Sequence, residues 1–329
     1  PEGGVAMPPK EGDDDPADLP PEVDAGPLPT PPASALTILH TNDLHSYLEP
    51  VRSSTQPEQG GLARRKALVE AVRKERGAGN VLLVDAGDFQ QGTIFYSAWG
   101  GSADVMGMNA LGYDAITLGN HEFDRGPAAL ARALRGEPVT IAGTRYETEP
   151  LLARLVATNV DASAEASLAG LVLKSAVLDK AGGKVGLLGV TTETTPSISS
   201  PGPNVRFLDY VETVQAEVNR LTATGVKRIV LLSHSGSGLD LENAPKLTGV
   251  DVIVAGPDHA LFASREHLAS EGVSTPARQT YPVATRGKDG APVLVVSANE
   301  WGKWLGRLDV TFDDAGRIAR DRSLRSEDF

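Results

Sequence analysis

Leu118-Gly-Asn-His-Glu-Phe-Asp124 decides how this chain is read. The stretch follows a short apolar run, Ala115, Ile116 and Leu118, which reads as a buried strand over 115–118 ending in a turn. Asn120, His121, Glu122 and Asp124 crowd onto the few residues past its end. In open α/β sheets, ligands bind beyond the carboxyl ends of strands, so donors gathered there make a candidate site. Taken alone, a polar loop with a capping residue would look the same. Four other strand ends carrying the same residue types favour the site.

Upstream, Leu36 to His40 form a β-rich run that ends at Thr41-Asn-Asp-Leu-His45. Asp43 and His45 lie two apart, and on an extended backbone such residues point the same way, so a carboxylate and an imidazole would share one side. Val81–Val84 is a second buried strand. It runs into Asp85-Ala-Gly-Asp-Phe-Gln-Gln-Gly92, where glycines beside Asp88 let backbone pass close to a ligand. Downstream, strand Ile229–Leu232 leads to His234, and Asp251–Val254 leads to Ala255-Gly-Pro-Asp-His259. Of the six histidines, His45, His121, His234 and His259 lie just beyond strand ends; His40 and His267 do not.

Between these runs, helices are expected over 62–76, 103–111, 127–135 and 209–223, the last opened by an Asp209/Glu212 capping box. Further strands are expected at 155–160, 171–178, 185–190, 293–297 and 305–312, with Lys180-Ala-Gly-Gly-Lys184 turning a hairpin. Residues 260–290 read as irregular, and the tail after Arg317 as frayed. The alternation of strands and helices predicts an α/β domain.

Composition narrows the function classes. The chain has 329 residues and a net charge of −12, which argues against a nucleic-acid surface. No run of 18 apolar residues occurs, so no membrane-spanning helix is expected. There are no cysteines, which excludes disulfides, a Cys nucleophile and a thiolate metal site. Residues 1–35 hold ten of the 23 prolines and carry net charge −7, so they are expected to form a disordered leader ahead of a catalytic domain at 36–329. Such a leader resembles the tether of an exported or lipid-anchored bacterial protein, implying a periplasmic or extracellular location and a lipid or membrane tether. A linker or an interaction tail is the alternative.

Pooled, the strand-end loops give Asp43, His45, Asp88, Asn120, His121, His234 and His259, with Asp124 beside them. This N/O set suits Zn²⁺, Mn²⁺, Fe or Mg²⁺. It exceeds what one ion uses. Two divalent ions about 3.5–4 Å apart would use it, gripping phosphoryl oxygens and supplying hydroxide for in-line attack on a small-molecule phosphoester.

At this point the sequence resembles the calcineurin-like metallophosphoesterases, through Asn42-Asp-Leu-His45, Gly87-Asp88, Gly119-Asn-His-Glu122, His234 and Gly256-x-x-His259. Leu36–Leu48 (LTILHTNDLHSYL), Asn120–Asp124 (NHEFD) and Gly302–Asp309 (GKWLGRLD) narrow the resemblance to the 5'-nucleotidase/UDP-sugar hydrolase branch. The resemblance implies a four-layer α-β-β-α sandwich with a dinuclear site. It implies that Asp43, His45, Asp88 and His259 hold one metal, that Asp88 bridges, and that Asn120 and His234 hold the second. It implies that His121 contacts phosphate and aids the leaving group, oriented by Asp124.

Two departures from that pattern stand out. The family has Gly-His-x-His in its last block, and here the first His is Pro257, leaving a weaker second site or a harder ion such as Mg²⁺ or Ca²⁺. Asp258 and His267 are the residues that could substitute. The branch also carries a C-terminal domain that stacks the nucleobase, whereas this chain stops at Phe329. The expected function is therefore metal-dependent hydrolysis of phosphomonoesters, 5'-nucleotides above all. The alternatives are a degenerate member that binds without turnover and an enzyme acting on cyclic nucleotides or UDP-sugars.

Overall fold

The computed structural model describes residues 35–52, 58–270, 273, 275–319 and 325–328; all of the expected leader but Ala35 lies outside the described residues. In chain order the first half runs β1 (Leu36–Thr41), α1 (Leu62–Arg76), β2 (Val81–Asp85), α2 (Ile94–Trp99), α3 (Ser102–Leu111), β3 (Ala115–Ile116), α4 (Pro127–Arg135), β4 (Val139–Ile141), β5 (Thr144–Tyr146), β6 (Arg154–Leu155) and β7 (Val160–Asp161). The second half runs β8 (Ser175–Lys180), β9 (Gly183–Thr191), α5 (Thr195–Ile198), β10 (Arg206–Phe207), α6 (Tyr210–Ala223), β11 (Arg228–His234), α7 (Ser237–Asn243), β12 (Val252–Ala255), α8 (Arg265–Ser270), β13 (Val283–Arg286), β14 (Pro292–Val296), β15 (Gly306–Val310) and β16 (Arg325–Asp328).

Two six-stranded sheets carry the fold, in the orders β16-β15-β1-β2-β3-β6 and β13-β14-β12-β11-β9-β8. Their central strands are parallel, β1 with β2 and β11 with both β9 and β12, while β15 and β8 pair antiparallel. The two-residue period of a strand builds the layers. Leu36 and Ile38 of β1, and Leu82 and Val84 of β2, join a core shared with β9, β11, β12 and β14 of the second sheet. The intervening Leu39, Val81 and Leu83 face the other way, onto α1, α3 and α4. α6 closes the second sheet through Val214, Val218 and Leu221. This is the expected four-layer α-β-β-α sandwich.

The two halves of the sandwich approach closely at Gly189 in β9. A Cβ there would lie 2.0 Å from the Val156 carbonyl oxygen and 2.4 Å from Thr117 Oγ1. The Thr158 N–H donates to Gly189 O at 2.6 Å, and the Gly189 N–H donates to Thr158 Oγ1 at 3.1 Å. Backbone thus stitches the sheets together near the strand ends that carry the donors.

Several expected elements differ. The apolar run 155–160 is two short strands in different sheets, because the chain turns inward at Thr158-Asn159 and the Asn159 side chain bonds the backbone of Thr191. Strand 171–178 shifts to Ser175–Lys180, since Leu171 and Val172 pack into the helix-side core instead. The 115–118 run forms a strand only at Ala115 and Ile116, and 305–312 only at Gly306–Val310, with Phe312 making an isolated bridge to Ile318. Residues 260–290, expected as irregular, contain α8 and β13, and the tail expected to fray returns as β16 beside β15. Helices α2 and α7 and the β4–β5 hairpin were not anticipated. The 180–184 turn is a hairpin as expected, with Ala181 and Gly182 both left-handed. Among the described residues no helix is long and apolar enough to cross a membrane.

Gly189→Ala pushes a methyl group into backbone that has nowhere to move. The expected loss is about 3 kcal/mol, seen as a lower urea midpoint with an unchanged m-value.

Candidate metal centre

The loops after β1, β2, β3, β11 and β12 converge on one point. Asp43, His45, Asp88 and His259 all sit there with left-handed backbone, at φ 52°, 47°, 54° and 50°. Non-glycine residues avoid that region, and its occupation clusters at functional sites. Asp43 and His45 therefore do not converge through an extended chain, as the spacing implied. The left-handed turn itself brings Asp43 Oδ1 to 3.9 Å from His45 Nε2.

Two groups of donors form. Asp43, His45 and His259 make one; Asp43, Asp88 and His234 make the other, with the ligand atoms of each group within 4.8 Å of one another. Asp43 is common to both. His259 Nε2 lies 3.4 Å from Asp43 Oδ1 and 3.3 Å from His45 Nε2. His234 Nε2 lies 3.0 Å from Asp88 Oδ2.

Each imidazole is fixed through its outer nitrogen. His45 Nδ1 faces Gln91 O at 3.2 Å, His234 Nδ1 faces Ala86 O at 2.7 Å, and His259 Nδ1 meets Glu300 Oε2 at 2.6 Å. These partners only accept, so Nδ1 carries the proton and Nε2 turns its lone pair inward, the arrangement of a histidine metal ligand. Buried Asp43 Oδ1 and His234 Nε2 have no aligned hydrogen-bond partner. Inward-facing acceptors with no donor between them fit a divalent cation, and the donors suit a hard-to-borderline one.

Without a cation, the carboxylates hold protons on two of these rings. Burial disfavours a charged His234, but the Asp88 carboxylate outweighs it and pushes the imidazole up to about 10. Burial would raise Asp88, yet the positive charge of His234 drives it down, to about 2. Asp88 and His234 thus share a proton that a cation bound in the cluster would displace. His45 is pushed down, chiefly by burial, against the pull of Asp88 and Asp43. His259 is raised, first by the Asp43 carboxylate beside it.

His121 stands beside these groups. Its backbone N–H donates to Asp88 Oδ1 at 2.9 Å, and its ring Nδ1 lies 2.7 Å from Asp124 Oδ2. Ser199 Oγ donates to Asp124 Oδ1 at 2.9 Å, holding the carboxylate. The His121 ring sits edge-on to His45, centroids 5.3 Å apart. Asn120 is buried next to it. Glu122 accepts backbone N–H bonds from Asp88 and Gln90 at 3.0 Å and from Gly119 at 2.6 Å, so it clamps the β2 loop to the β3 loop.

Other expectations resolve by position. Ser237 Oγ donates to Asp258 Oδ2 at 2.5 Å, and Asp258 is in neither donor group. His267 lies in α8 and in neither donor group. His40 is a core residue, 2.8 Å from the Tyr281 hydroxyl, lowered to about 3 by burial.

Several supports were not foreseen. Asn42 Nδ2 donates to Asp43 Oδ2 at 2.6 Å and to Asn299 O at 2.5 Å; Asn299 Nδ2 donates to His259 O at 2.7 Å; the Trp301 N–H donates to Asp43 O at 2.7 Å. Together with Glu300, the 298–301 loop after β14 braces both Asp43 and His259. Its signal in the sequence was Ala298-Asn-Glu-Trp301, just ahead of the Gly302–Asp309 block. Glycines form the remaining walls. A Cβ at Gly119 would lie 2.1 Å from Asp88 Oδ1, and one at Gly256 would lie 2.9 Å from His234 Nδ1.

Glu300→Ala frees the His259 ring and removes its charge partner. Titration calorimetry with Mn²⁺ or Zn²⁺ should show affinity falling about 10–100-fold; unchanged affinity would mean that His259 needs no brace.

Comparison with known proteins follows the same lines. A family profile described as calcineurin-like phosphoesterase matches residues 36–261. The chain is 38% identical over 290 residues to the snake venom 5'-nucleotidase of Gloydius brevicauda, covering 87% of this chain and 46% of that protein. It is 39% identical over 297 residues to the 5'-nucleotidase of Mus musculus, covering 88% and 48%. The crystal structure of a 5'-nucleotidase precursor from Thermus thermophilus superposes with a TM-score of 0.78 at 42% identity, covering 89% of this chain and 54% of that one. The chain thus spans about half the length of these relatives. On the profile match, the identities and the shared fold, the chain belongs to the calcineurin-like phosphoesterase family.

Proposed function

We propose that this chain is a metal-dependent phosphoesterase acting on phosphomonoesters, with 5'-nucleotides as the substrate class. The observation that carries the reading is an imidazole poised beside a cation-binding cluster: His121, held by Asp124, packed against Asp88 and His45. In this reading Asp43, His45, Asp88 and His259 hold one divalent cation, and Asp88, Asn120 and His234 hold a second. Zn²⁺, Mn²⁺, Mg²⁺ and Ca²⁺ are the candidates. Bound there, such cations supply Lewis acidity toward phosphoryl oxygens and toward an attacking water.

The protein's own groups do the rest. Asp124 accepts the Nδ1 proton of His121 in a hydrogen bond, which leaves Nε2 directed outward; carrying a second proton there, the ring would donate to a phosphoryl oxygen or give that proton to the departing alkoxide and return to neutral. Ser199 keeps Asp124 from rotating away. Left-handed backbone and glycine walls hold Asp43, Asp88 and His234 in place before substrate arrives. No protein nucleophile is required.

A second reading, a member that binds phosphoesters without turnover, is favoured by one observation. Pro257 supplies no side-chain donor where the family has a histidine. We further infer a catalytic domain beginning at Leu36, behind a leader whose acidic, Pro-rich composition supports export and a periplasmic or extracellular setting.

The test is release of phosphate from an aryl phosphate, 5'-AMP, a cyclic nucleotide and a UDP-sugar with Mn²⁺, Zn²⁺ or Mg²⁺. Metal-dependent turnover abolished by EDTA is expected, fastest on 5'-AMP among the natural compounds. One cation per chain with no turnover under any ion would establish the binding-only reading instead. His121→Ala should lower kcat by about 10²–10⁴-fold while metal content, measured by atomic emission, stays the same. Loss of metal in that variant would make His121 a ligand.

A further inference from the structure

Outside the two donor groups, a hollow of 260 Å³ opens between the α2–α3 turn and the α4–β4 connection. Trp99, Gly100, Arg125, Ala129, Arg132 and Glu137 line it. It shares no residue with the two donor groups.

Its charge is what marks it. The chain carries a net charge of −12, yet two arginines line this one concavity. Neighbouring arginines have partners: Arg135 donates to Ser167 O at 2.7 Å, and Arg73 donates to Leu111 O and Gly112 O at 2.6 Å each. Among the described residues Arg132 has neither an ion pair nor a hydrogen bond, and Arg125 has only the Tyr96 ring, 4.4 Å from its guanidinium carbon. Glu137 lines the same hollow and pairs with neither. Trp99 adds an aromatic wall, its ring steadied by Tyr146 at a centroid distance of 5.2 Å.

Two guanidiniums with open donors match a tetrahedral dianion, which they can grip through paired N–H bonds. An aromatic wall beside them matches a flat ring, and Glu137 accepts from a ligand hydroxyl or amine. We propose that this hollow is a binding site for a small phosphorylated aromatic compound, separate from the metal cluster. The anion sits between Arg125 and Arg132, and the ring lies against Trp99.

The probe is phenylphosphonate, which carries a ring and a tetrahedral dianion but no ester bond to hydrolyse. Titration calorimetry is run on the whole chain after EDTA treatment, so that cation-held phosphonate does not contribute. Saturable one-to-one binding is expected, with inorganic phosphate binding more weakly because it lacks the ring. Arg132→Ala and Trp99→Ala should each weaken phenylphosphonate about tenfold, and Arg145→Ala on β5 should leave it unchanged. Arg132 is exposed and Trp99 half-exposed, and matching thermal unfolding curves verify that both variants fold. Absence of saturable binding, or binding that Arg132→Ala and Trp99→Ala leave intact, overturns the proposal. The assay reads binding without metal or turnover, so its failure is distinct from failure of the phosphoesterase reading.

Discussion

The Glu122 carboxylate is the constraint on which the site rests. It is fully enclosed and accepts three backbone N–H groups, from Asp88, Gln90 and Gly119. Burial pushes its pKa well above the usual range, and the nearby Asp88 charge adds to that; the bonds from Gln90 and Gly119 oppose both. A carboxylate in such surroundings is costly unless its lone pairs are met. Because the three donors come from two strand-end loops, satisfying Glu122 forces those loops together. Asp88 and His121 are thereby placed side by side without a direct bond between their side chains having to do it.

The same logic of burial then passes outward. Asp88 is set by Glu122, His234 is set by Asp88 and Ala86 O, and His121 is set by Asp88 and Asp124. On the opposite side Asp43 and His259 are set by the 298–301 loop. Each side draws on both sheets, Asp88 with His234 and Asp43 with His259, so the tight contact at Gly189 matters to both. A loose sandwich would pull each of these pairs apart.

Much of this was legible in the chain alone. Runs such as Val81–Val84 and Ile229–Leu232 are apolar throughout because both faces of a parallel strand are covered, and polar residues after them mark strand ends. What stayed hidden has physical causes. Helix α2, Ile-Phe-Tyr-Ser-Ala-Trp, is six residues of mostly aromatic and β-branched types whose local preference favours strand, so tertiary packing decides it. The 155–160 run looks like one strand because nothing local announces that Asn159 will bond across to Thr191. Asn42 and Asn299 are 257 positions apart, and no spacing rule connects them. Glu122 itself was visible but mute, since its donors are backbone groups and leave no mark on composition.

The left-handed backbone at Asp43, His45, Asp88 and His259 has a consequence for how such a protein can change. Each of these residues costs about 1 kcal/mol or more in that conformation, and glycine or asparagine would relieve it. Selection for thermal stability alone would therefore reward replacing the very side chains that converge on the site. Variants recovered from a heat-based screen should drift toward a sturdier, chemically silent fold unless catalysis is scored alongside. The resistance of those positions to drift, against a standing gain in stability, would measure how strongly function is being maintained.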